Sequence, residues 1–186
     1  AFSSAFFLYG AALVYGFAGT VSLGGIADAV TGQTQLNGLL LGGIALMAVG
    51  MLFKVAAVPF QSWAPDVYQG SPTPVTAFMA SGVKVAAFGA MLRLFYVGFG
   101  GASWDWRPAF WIIAILTFFV GSMVALAQSD IKRMLAYSSI AHAGFLLLGV
   151  IAVTPEGLAA TMFYLVTYGL ATVGAFGIVM LIRDDS

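Results

Sequence analysis

Cysteine is absent from the 186 residues. That excludes disulfides, thiolate metal sites and a cysteine nucleophile. Charge is scarce: 8% of residues are charged against 61% hydrophobic, and mean hydropathy is +1.01. A water-soluble domain of this length needs far more charge to hydrate its surface. The composition therefore predicts a multi-pass integral membrane protein whose solvent is the lipid bilayer. Seven basic and seven acidic groups cancel, and no basic field for nucleic acid is expected. A single histidine can neither build a metal site nor hold a haem from two sides. Glycine-rich phosphate loops and paired carboxylates are missing as well. No cofactor, no metal and no redox chemistry are expected on this chain itself.

What the sequence has in quantity is apolar helix. Six spans are expected, over residues 1–18, 38–60, 74–97, 108–128 and 131–153, with a sixth ending near Arg183 before Asp184 and Asp185. A span needs ~20 apolar residues, and the first falls short. The chain opens without Met inside an apolar run, so a piece of a longer polypeptide is expected. Residues 19–37 read as a glycine-rich loop, with room for one short interfacial helix. Residues 98–107 read as a second loop, closed by Trp104 and Trp106 at headgroup depth. Ser129 and Asp130 supply cap chemistry for the fifth helix, and Thr154-Pro155-Glu156 for the sixth. The spans form one transmembrane domain over residues 1–186 with no soluble part. Lys132, Arg133 and Arg183 fall on one side, Arg93 and Arg107 near the other. The positive-inside rule makes the first side cytoplasmic, and there Lys132 and Arg133 read as interface anchors.

The chain is organised around residues 53–89, FKVAAVPFQSWAPDVYQGSPTPVTAFMASGVKVAAFG. Pro59 and Pro65 predict a break in the second helix around residues 58–62, because proline removes a backbone donor. Ser62 is the expected N-cap of a short helix after the break, with Pro65 and Asp66 in its first turn. Broken helices at membrane depth persist only where protein or water satisfies the freed groups. Lys54 and Lys84 flank this hinge. A charge at mid-membrane costs roughly 2.5–3.5 kcal/mol on insertion scales, so such residues usually face a bundle interior and serve a purpose. The alternative is snorkelling to the interface. Lys84, about ten residues or ~15 Å from the start of its span, is too deep for that; Lys54 is nearer a helix end. No carboxylate lies within the expected spans, so a partner must come from elsewhere. His142, four residues after Ser138, reads equally as packing glue between helices or as a proton relay.

The stretches FKVAAVPFQSWAPDVYQGSPTPV and SDIKRMLAYSSIAHAGF, with ATVGAFGIV as a third, resemble the antiporter-like membrane subunits of respiratory complex I, the subunit N group most closely. The resemblance covers essentially the whole chain. It implies an all-α bundle of two inverted repeats, each with one broken helix, of which this chain is a fragment. It further implies a proton-translocating subunit of NADH:quinone oxidoreductase whose partners are other membrane subunits, in a bacterial inner membrane or its organelle equivalent. Lys54, Lys84 and His142 would then form a proton relay, with Pro59, Pro65 and Asp66 as the broken-helix gate. Gln61 stands where related subunits often carry histidine, which departs from the pattern. A cation/proton antiporter or membrane-bound hydrogenase subunit uses the same bundle. A structural scaffold with lipid-binding lysines is the remaining reading, and the depth of Lys84 argues against it.

Overall fold

A computed structural model describes residues 2–32 and 37–182, all of them helical or in short connections. The helices are α1 (Phe2–Ala18), α2 (Leu23–Thr31), α3 (Gly38–Lys54), α4 (Trp63–Gly70), α5 (Thr73–Gly98), α6 (Ser103–Leu126), α7 (Ile131–Ala152) and α8 (Pro155–Ile182). The expected end of the last span at Arg183, with Asp184 and Asp185, lies outside the described residues, as does part of the first loop.

All six expected segments are helical, but they are not six equal spans. Four helices, α5 to α8, are long and apolar enough to cross a bilayer alone. Helices α1 and α2 pass that test only together, bent by 58°. Helix α3 has 17 residues, or ~26 Å at 1.5 Å per residue, short of the ~30 Å hydrocarbon core. It ends at Lys54, earlier than the predicted 60, because the chain turns left-handed at Ala56 (φ 57°). Residues 98–107 are no loop. A 3₁₀ turn (Gly100–Ala102) leads straight into α6. Pro108 lies in the second turn of α6 and costs only the bond to the carbonyl of Trp104, a residue 87% exposed.

The two most extensive contacts pair α1 with α3 and α6 with α7. An aromatic cluster joins α5 to α6: Phe95 packs on Trp106 at 4.7 Å and on Phe110 at 4.8 Å. Trp106 was expected at headgroup depth; it is buried here, its indole N–H donating to the Phe99 carbonyl at 3.0 Å. Trp104 remains exposed. A second cluster, with Ala56, Tyr68, Ala80, Ala136, Ile140 and Phe176, ties the chain break to α4, α5, α7 and α8. One face of α8, with Phe163, Val166 and Leu170, is largely apolar and exposed. It suits lipid or a further apolar helix.

Candidate functional site: a buried amine between helices

The break spans residues 55–62, and protein groups satisfy much of its backbone. Val55 and Ala57 donate back to Met51 and Leu52. The Trp63 indole donates to the Phe53 carbonyl at 3.0 Å. The Val58 N–H, next to Pro59, donates to the Thr117 hydroxyl of α6 at 3.0 Å. Thr117 is wholly buried. Nothing in its local sequence marks it, since its partner lies 59 residues away. Thr117→Val keeps the shape and orphans a buried donor, which costs about 1–3 kcal/mol. Thermal unfolding of the full-length subunit should show that loss for Val and little for Thr117→Ser.

Beyond the break, α4 starts at Trp63 after Ser62, whose side chain makes no cap bond. The start of α7 then clamps α4. The Asp130 carboxylate caps α7 by accepting from the Arg133 N–H at 2.8 Å. The Arg133 guanidinium reaches Asp66 at 2.6 Å and the Gln69 side chain at 3.0 Å. Lys132, expected as an interface anchor, turns inward: 9% exposed, it donates to the Ser71 carbonyl at 2.7 Å. That carbonyl lies just past the end of α4, where helix carbonyls lack internal partners. Asp66 is thus a largely exposed ion-pair partner at the rim, while Pro65 is buried in α4.

Lys84 follows a single π-helical turn, Met79–Val83, a distortion often found at functional sites. It is 3% exposed. Its ammonium donates to the Ser139 carbonyl of α7 at 2.6 Å and to the Ser139 hydroxyl. It also lies 5.7 Å from the centre of the Tyr168 ring of α8. Among the described residues no carboxylate is within ion-pair distance of it. His142 also packs against Tyr168, ring to ring at 5.1 Å. Its Nδ1 is hydrogen-bonded to the Tyr164 hydroxyl at 2.6 Å. Ser138, Ser139, His142, Tyr164 and Tyr168 line one cavity of about 360 Å³.

Lys54 is placed elsewhere. It is exposed at the last position of α3, where a cation complements the helix dipole. It borders an open cleft of about 450 Å³ between α1 and α5, shared with Ser4, Phe7 and Ala90. The structure therefore joins Lys84 to His142 and leaves Lys54 apart. Sequence reasoning missed Ser139, Tyr164 and Tyr168, because polar residues in a membrane helix carry no sign of which helix they meet. Among the described residues no three His, Asp or Glu side chains converge as a metal site.

A bundle of apolar helices, four of them long enough to cross a bilayer and one carrying a buried amine, defines a multi-pass integral membrane protein. The chain belongs to the family described as NADH:quinone oxidoreductase/Mrp antiporter, transmembrane, whose profile matches residues 1–186. NADH-quinone oxidoreductase subunit N of Parafrankia sp. (strain EAN1pec) is 62% identical over 183 residues, covering 98% of this chain and 35% of the relative. A chain of Thermus thermophilus respiratory complex I with bound aureothin superposes with TM-score 0.79 at 44% identity, over 96% of this chain and 37% of that one. A chain of the Mrp complex from Dietzia sp. DQ12-45-1b superposes with TM-score 0.85 at 27% identity, over 94% of this chain and 32% of that one. The chain spans about a third of the length of these relatives.

Proposed function

We propose that this chain is part of a proton-translocating membrane subunit of NADH:quinone oxidoreductase, with the redox centres on other chains. The observation that carries the reading is Lys84, a sequestered amine held by neutral hydroxyl and carbonyl groups. A titratable group inside a membrane bundle is by default a carrier or counter-ion. Lys84 gains or loses a proton without breaking an ion pair, so its charge responds to charges set elsewhere along the bundle. His142 is the neighbouring station at the α7–α8 cavity, and Lys54 is a separate station at the end of α3. Pro59 and Pro65 keep the chain open between them, and Asp66 anchors the exposed end of the gate. The partners are other membrane subunits of the same assembly.

The antiporter subunit is the second reading, favoured by the closer superposition on the Mrp chain (TM-score 0.85 against 0.79). Sequence identity, 44% against 27%, supports the oxidoreductase reading over it. The test is to purify the full-length polypeptide with its native partners and reconstitute the assembly in vesicles. NADH oxidation coupled to a membrane potential is the expected result. Sodium/proton exchange from a complex that does not oxidise NADH would replace the first reading by the second.

A further inference from the structure

Tyr168 is the side chain that touches both Lys84 and His142. Its ring centre lies 5.7 Å from the Lys84 ammonium and 5.1 Å from the centre of the imidazole. The residue is 7% exposed, and its hydroxyl is buried without a hydrogen-bond partner among the described residues. The side chains of Ser139 and Thr172 lie beside that hydroxyl, outside hydrogen-bonding geometry. A buried orphan hydroxyl is unfavourable, and a phenylalanine would fill the same space without that cost. Ser139 is also the group that accepts from Lys84. The hydroxyl therefore stands next to the acceptor of the amine and on the wall of the cavity that holds the imidazole.

We propose that Tyr168 carries the proton between Lys84 and His142, its hydroxyl taking over from Ser139 inside the α7–α8 cavity. The inference rests on the proton-translocation reading given above. Lys84 releases a proton to the Ser139 oxygen as the Ser139 hydroxyl proton moves to the Tyr168 oxygen. The Tyr168 hydroxyl proton moves to His142. The net change is ammonium to amine and imidazole to imidazolium, and both hydroxyls reset by rotation. In the tautomer whose Nδ1–H donates to the Tyr164 hydroxyl oxygen, Nε2 is the nitrogen that accepts. The titratable groups around Tyr168 are Lys84 on α5, Tyr68 on α4, His142 on α7 and Tyr164 one turn earlier on α8.

The experiment compares three variants in the assembled enzyme at matched subunit content. Tyr168→Phe keeps the ring and removes the carrier, and proton pumping should fall about tenfold or more. Tyr168→Leu removes ring and hydroxyl and should fall at least as far. A fluorinated tyrosine at 168, with a more acidic hydroxyl, should restore pumping and move its pH profile to lower pH. Wild-type pumping in Tyr168→Phe with a defect only in Tyr168→Leu makes the residue mere packing and overturns the proposal. An unmoved pH profile with fluorotyrosine overturns it too. Wild-type pumping in Lys84→Ala is a different failure: it removes the translocation reading itself.

Discussion

Lys84→Ala should lower the rate of membrane-potential generation in the reconstituted assembly by about a hundredfold. That is the low end of what a positioned proton-transfer group contributes. The expectation follows from the burial of the amine and from its partners, both contributed by Ser139 of a helix 55 residues away. Alanine removes the only titratable group that faces Ser139 from α5. Neither partner is left in need, because the Ser139 carbonyl belongs to the α7 ladder and its hydroxyl can rotate to a neighbour. Stability should therefore change little, and the loss should appear in pumping at normal subunit content. Lys84→Arg should not rescue, since a guanidinium stays charged and passes no proton. Lys54→Ala should also slow pumping, and the double variant should lose less than the sum if both act on one path. Wild-type pumping in Lys84→Ala would leave the amine a structural residue.

Gly144→Leu should strip the subunit from the membrane. Helices α6 and α7 make one of the two most extensive contacts in the bundle. They approach so closely that a Cβ at Gly144 would sit 2.7 Å from the Phe118 nitrogen and 3.0 Å from the Ala114 carbonyl oxygen. Both obstacles are backbone, so no side-chain rotation relieves the clash. Overpacking of this kind costs about 1–3 kcal/mol and sometimes more. Helix association in lipid depends on such small-residue contacts, since no hydrophobic force between helices replaces them. Helix α7 also carries Ser139 and His142, so a variant that does insert should lose the Lys84 contacts as well. Immunoblots of membranes should show the loss of Gly144→Leu, while Gly89→Ala, with nothing within 4 Å of its added Cβ, should accumulate normally. Normal content and normal thermal stability for Gly144→Leu would show that the helices are not packed this closely.

Much of this architecture was legible because its causes are local. Apolar runs demand helices in lipid, where every backbone group must be bonded within its own segment. Asp130 before α7 and Thr154 before α8 cap their helices, each accepting a backbone N–H three residues on. Pro59 announced a break, and the depth of Lys84 in its span announced a sequestered charge. The limits of the break were not legible, because Ala56 in a left-handed conformation and Thr117 from another helix set them. Nor were the opposite environments of the two lysines, the inward turn of Lys132 or the burial of Trp106. Each of those depends on which helix faces which, and helices that are apolar all round carry almost no periodic signal to say so. Composition and local hydrogen bonding are written along the chain and decide that there are helices, where they start and where a break falls. Only packing in three dimensions decided that Lys84 meets Ser139, Tyr168 and, beyond them, His142, because those contacts join residues 55 or more positions apart through side chains with no local reason to meet.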